Sequence, residues 1–181
     1  MKRFSLLLAS GLLLSLSACA IPTTGTYPSP TATIGEIKDW RMPVYREPGR
    51  IDMKLRLVDG NKFRVSLEAA NEGIQAPLQL AFTGCDCSVS LTASVRYSTE
   101  ANVFTHKYFS KELDRHDDLD VRIEWDGEMH ISTSLDGETL QVMPYTSFAT
   151  LRLLTESGTI VVKELNYSKI NEAHASAKGV K

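Results

Sequence analysis

Residues 119–142 read LDVRIEWDGEMHISTSLDGETLQV, and their two-residue rhythm decides the fold. Leu119, Val121, Ile123 and Trp125 alternate with Asp120, Arg122 and Glu124, and Met129, Ile131 and Leu135 resume the pattern beyond Asp126-Gly127. Successive side chains of a strand point to opposite faces, so such runs describe strands with one face in a core. The two Asp-Gly pairs are hairpin signals. A two-residue loop at Asp136-Gly137 sets Leu135 opposite Glu138 and Ile131 opposite Val142, which keeps apolar residues together. At Asp126-Gly127 the same loop would set Ile123 against His130. A three-residue loop over 126–128 instead pairs Trp125 with Met129 and Ile123 with Ile131, preserving the face.

The alternation extends in both directions. Ile51, Met53, Leu55 and Leu57 form one run, Phe63, Val65 and Leu67 a second, and Val89, Leu91, Ala93, Val95 and Tyr97 a third. A bulged three-residue loop at Asp59-Gly60-Asn61 would pair Leu57 with Phe63. With further apolar runs at 78–82, 148–154 and 159–167, the count is nine or ten strands and no amphipathic helix. One sheet that wide curls or splits, so the expected fold is all-β, an antiparallel, jelly-roll-like β-sandwich. The stretch 119–167 resembles the back half of concanavalin-like jelly-roll domains of the laminin-G kind. That resemblance is one of hydrophobic rhythm, and it carries over no carbohydrate or calcium ligand.

The N-terminus has a different character. Lys2 and Arg3 precede an apolar stretch, 4–16, that ends in Leu16-Ser17-Ala18-Cys19. This is the construction of a secretory signal, too short for the roughly 20 apolar residues of a membrane span. The motif resembles the lipobox of bacterial lipoproteins, which implies cleavage before Cys19 and acylation of its thiol and new amine. Ala20, where retention in the inner membrane would use Asp, points to the outer membrane by the same resemblance. The expected organisation is a signal over 1–18, a lipidated Cys19 with a Pro/Thr-rich tether to residue 36, a sandwich over 37–167 and a polar tail over 168–181. Sixteen tether residues reach at most about 50–58 Å.

Of 181 residues, 20 are Lys or Arg and 22 Asp or Glu; loss of Lys2 and Arg3 leaves a formal charge of −4. An acidic chain argues against nucleic acid as a partner and against a basic patch for anionic lipid headgroups. The expected attachment to the membrane is through acyl chains.

Chemistry-bearing motifs are few. Cys85 and Cys87 in an exported chain can form a bridge, remain as thiols or contribute to a metal site. Residues 114–120, DRHDDLD, hold four carboxylates and His116, but their spacing is not that of a calcium loop, and a solvated acidic loop is expected. A loop over 99–102 would set His106 opposite Val95, on the apolar face, as a core histidine. Trp40, Trp125 and several tyrosines could stack on sugars or fill the core. There is no G-x-S-x-G, H-E-x-x-H, P-loop or dinucleotide fingerprint. The sequence therefore leads to no catalytic residue, metal or cofactor and to an expectation that the chain is not an enzyme. The function expected is a non-catalytic interaction or structural lipoprotein of the envelope, with an envelope protein or glycan as partner; the alternative is a lectin-like glycan-binding module.

Overall fold

A computed structural model describes residues 34–70, 75–85 and 87–170. Eleven strands and no helix are found there: β1 (Gly35–Ile37), β2 (Asp39–Pro43), β3 (Gly49–Glu68), β4 (Leu78–Gly84), β5 (Ser90–Glu100), β6 (Val103–Tyr108), β7 (Leu113–Asp114), β8 (Leu119–Trp125), β9 (Ile131–Leu135), β10 (Glu138–Val142) and β11 (Thr150–Lys169). Cys19 and the signal, most of the tether, and residues 171–181 of the tail lie outside the described residues.

Two long strands organise the molecule. β3 and β11 have 20 residues each and pair antiparallel along their length. On its other edge, the first half of β3 pairs with β8 and the second half with β4. β11 likewise takes β2 beside residues 150–154 and β1 beside 160–162. Two six-stranded layers result, a front one in the order β10-β9-β8-β3-β11-β1 and a back one in the order β6-β5-β4-β3-β11-β2. β7 extends the β6 edge beside the start of β5. All pairs are antiparallel, and the fold is a β-sandwich whose layers share two strands.

The Asp59-Gly60-Asn61 hairpin expected from sequence is therefore not made. β3 passes straight through it, and Leu57 faces Ile160 while Phe63 faces Thr155. The glycine serves a corner instead. Gly60 has φ +81° and Gly158 of β11 has φ +92°; a Cβ on Gly60 would meet the Ser157 carbonyl, and one on Gly158 the Asp59 carbonyl. Ser157 Oγ accepts from Asn61 N–H at 3.2 Å and donates to Asn61 Oδ1 at 2.9 Å, tying the two bends together. Bulges in β11 between Thr155 and Ile160, and again between Val162 and Glu164, re-phase its side chains, as extra residues in one strand do. Leu151 and Leu153, then Ile160 and Val162, then Leu165 accordingly all reach the core.

That core is one cluster drawing on both layers. Phe63 and Phe82 stack at 4.1 Å between ring centres, and Trp125 meets Phe148 edge-on at 5.4 Å. Trp125 is a core residue, and its indole N–H donates to Glu47 O at 2.7 Å and Tyr45 O at 3.1 Å. Trp40 packs half-buried against the same cluster. Thr133 is 0% exposed between Ile123 and Leu140, and its hydroxyl has no hydrogen-bond partner. A buried hydroxyl left unsatisfied costs stability that an isosteric methyl does not. Thr133→Val should therefore stabilise the domain by about 1 kcal/mol. A rise of about 2–4 °C in melting temperature checks it; a lower one contradicts it.

Three hairpins set register. Asp136-Gly137 is the expected two-residue turn, with φ +46° and +91°, and Val142 faces Ile131. The Asp126 loop is five residues long, not three: Trp125 pairs with Ile131, Ile123 with Thr133 and Val121 with Leu135. Asp126 is the cause. Its Oδ1 accepts the N–H groups of Glu128 and His130, both at 2.9 Å, and Oδ2 takes the His130 ring at 2.8 Å, which folds the wider loop around one side chain. Because the shift is two residues, the faces keep their parity.

At the third hairpin the sequence expectation fails by one residue. β5 runs on to Glu100, Ala101-Asn102 turns with Asn102 at φ +62°, and a bulge falls between Ser98 and Glu100. His106 consequently faces Arg96, not Val95, and is exposed on the outer face of β6. The core-histidine assignment is thereby corrected.

Ion pairs link neighbouring strands on the outer faces. Asp118 takes Lys163 and Arg56, both at 2.7 Å, and these two, Lys163 foremost, hold its carboxyl below the ordinary 3.8 against the opposing effect of burial. Asp39 is lowered chiefly by its hydrogen bond from Arg152, and Glu156 by Lys62. A carboxylate depressed in the folded state stabilises above its unfolded value, and that contribution is lost as pH falls through the folded value. Urea unfolding at low salt should thus give a stability that is level above about pH 5 and declines below about pH 4; constancy down to about pH 2 would contradict the role of these pairs.

Candidate functional site

The outer face of the back layer combines aromatic, cationic and short polar side chains. The outward residues include Gln79, Ala81 and Thr83 along β4, Thr92, Ser94 and Arg96 along β5, and Phe104, His106 and Tyr108 along β6. Register aligns them in rows. His106 lies beside Arg96, Arg96 beside Gln79 and Gln79 beside Ser66 of β3. The next row runs Tyr108, Ser94, Ala81, Arg64. Short side chains at Ala81, Thr83, Thr92 and Ser94 thus leave a low strip. Aromatic rings border it on β6, and Arg64 and Lys62 border it on β3.

The aromatic border is ordered. The His106 and Tyr108 rings stack at 6.4 Å, and Tyr108 is 70% exposed. Phe104 lies under the Arg96 guanidinium, whose carbon is 3.8 Å from the ring centre. Arg96 also donates to Gln79 Oε1 at 3.5 Å and to Gln75 Oε1 at 2.6 Å. The face thus offers an exposed ring, a fixed guanidinium and several hydroxyl and amide groups above a strip without bulk. An extended molecule with apolar faces and many hydroxyls, held by stacking and hydrogen bonds, fits such a surface.

Two hollows elsewhere are less suited. One of about 420 Å³ on the outer front layer is lined by Asp52, Lys54, Asp120, Arg122 and Glu164, whose charges are spent on each other. The other, about 1320 Å³, opens at the sandwich end among Tyr97, Lys107, Trp125, Asp126 and Met143. Two of its polar groups are committed: Lys107 Nζ donates to Gln141 O at 2.5 Å, and Asp126 holds His130. Burial opposes ionisation of Asp126, but the His130 and Glu128 bonds outweigh it and lower the pKa.

The residues singled out from sequence do not converge. Cys85 and Cys87 form a disulfide with Cα atoms 5.2 Å apart, in the β4–β5 connection. The acidic run is dispersed, with Asp114 bonding His116 N–H, Asp118 pairing with Arg56 and Lys163, and Asp120 near Lys54. No group of three or more potential metal ligands occurs among the described residues. Arg96, Phe104 and Tyr108 were missed as a site, and the signal was F-x-H-x-Y over 104–108. Once Asn102 takes the left-handed turn position, those three side chains share one outer face.

Solved structures with this arrangement of strands include galectins and alginate lyases. The fold is the concanavalin-like β-sandwich. Galectin LEC-6 of Caenorhabditis elegans superposes with a TM-score of 0.52 and 11% identity, over 74% of this chain and 96% of its own. An alginate lyase from Pseudomonas aeruginosa gives 0.54 and 13%, over 69% and 66%. Congerin II, liganded with lactose and MES, gives 0.51 and 11%, over 71% and 99%. No family model matches the chain, and no curated protein matches it in sequence. The expectation that the chain is not an enzyme is corrected by these matches. Alginate lyases share the fold, so missing hydrolase, zinc and nucleotide motifs remove only those chemistries.

Proposed function

We propose that the chain is a carbohydrate-binding β-sandwich, attached to the bacterial envelope through a lipidated Cys19, and that glycans lie along the outer face of β4, β5 and β6. The observation that carries this reading is the low strip beside the Phe104, His106 and Tyr108 ladder, with Arg96 fixed at one end of the strip. Sugar rings present an apolar face to an aromatic ring and an equatorial belt of hydroxyls to polar groups. Lactose-liganded congerin II and the alginate lyases show that the same scaffold serves saccharide recognition in other proteins. Acylation of Cys19 would tether the domain, and mass spectrometry of the mature N-terminus tests that part directly.

Tyr108 supplies the sharper test of the face. Its side chain is exposed, so truncation leaves the core untouched. Tyr108→Ala should weaken oligosaccharide binding by about fivefold to tenfold, as loss of one aromatic platform does, with the melting temperature unchanged. Calorimetric titration of wild type and variant reads the ratio. Equal affinities would remove the face from consideration.

A further inference from the structure

We infer that the glycan bound by this face bears carboxylates, as uronic acid residues do, and that Arg96 is the residue selecting them; the inference rests on the glycan-binding reading above. The outward residues of the rows that the strip occupies, at 79–83 of β4, 92–96 of β5 and 104–108 of β6, include no acid. Several other arginines of the outer faces are paired with carboxylates at short range: Arg152 with Asp39 and Glu68, Arg64 with Glu156, Arg122 with Asp52, Arg56 with Asp118. Arg96 makes no ion pair with any described carboxylate. Its partners are the amide oxygens of Gln79 and Gln75 and the face of Phe104. Those contacts fix the guanidinium plane without bringing any described carboxylate to it.

A guanidinium has five N–H donors in a planar fork, and two glutamine bonds leave donors for a ligand. A carboxylate matches the fork with two parallel, charge-assisted hydrogen bonds, which a neutral hydroxymethyl group cannot make. His106, directly across the ladder from Arg96, adds a ring nitrogen on the side where the chain of sugars would run. The surrounding hydroxyls of Ser94, Thr92 and Thr83 suit the uncharged parts of the same ligand.

The test is a titration of the full chain with a β-1,4-linked uronic acid tetrasaccharide and with the same tetrasaccharide after carboxyl reduction to its neutral form. The acid form should bind at least about tenfold more tightly, the usual scale of one charge-assisted pair. The preference should shrink with added salt. Arg96→Gln should remove most of that preference, weakening the acid form several times more than the neutral form. Equal binding of both forms to wild type overturns the carboxylate inference and leaves glycan binding standing. Binding of neither form overturns both. A preference that survives Arg96→Gln overturns the assignment to Arg96.

Discussion

Gly158→Ala is expected to destabilise the domain by about 4 kcal/mol or more, a large part of the 5–15 kcal/mol that usually holds a domain together. Two effects add. The backbone at Gly158 has φ +92°, where a side chain costs about 1–2 kcal/mol in its own right. The new Cβ would also sit on the carbonyl of Asp59 and lie 2.8 Å from its Oδ1. Relief requires β3 and β11 to separate at the corner that both layers share. Gly137 supplies the control, since its φ is +91° but nothing lies within 4 Å of an added Cβ. Gly137→Ala should cost only the local term, about 1–2 kcal/mol. Urea unfolding of the two variants reads the difference directly. Equal losses would mean that the corner tolerates separation and that the layers do not depend on it.

Ile131→Asp should be comparably severe. Ile131 is 0% exposed and stands between Trp125 on β8 and Val142 on β10, in the middle of the front layer's three-strand meander. A carboxylate there has no cation within the core cluster, so folding either buries an unpaired charge or protonates the group. The loss should be about 3–5 kcal/mol near neutral pH and smaller at acid pH, where the neutral form is populated. Circular dichroism melts at two pH values decide it. A variant that melts like wild type at neutral pH would mean that Ile131 does not face the core.

What the sequence revealed follows the range of the interactions involved. The Asp136-Gly137 turn was legible because a two-residue loop is fixed by its own φ angles and by the parity of its flanks. The Asp126 loop was legible in parity but not in length, because its extra residues are held by bonds from a single carboxylate. Asp59-Gly60 was misread for a deeper reason. A glycine with positive φ looks the same in sequence whether it reverses a strand or lets another chain cross it, and Gly158 is 98 residues away. The binding face depended on one residue of register. A loop over 99–102 sends His106 to the core, whereas the turn at Ala101-Asn102 sends it outward with Phe104 and Tyr108. Arg96 was invisible as a site residue because its surroundings, Gln79 and Phe104 with no acid beside it among the described residues, are set by register between strands.

Amide chemical-shift mapping during titration with an acidic oligosaccharide tests the central claim most directly, because it asks where the ligand sits without altering any residue. The account predicts shifts concentrated at Gln79–Thr83, Thr92–Arg96 and Phe104–Tyr108, with the front-layer residues Arg122, Ser134 and Thr139 unmoved. Shifts confined to the front layer or to the cleft around Asp126 and His130, or none at saturating ligand, would contradict it.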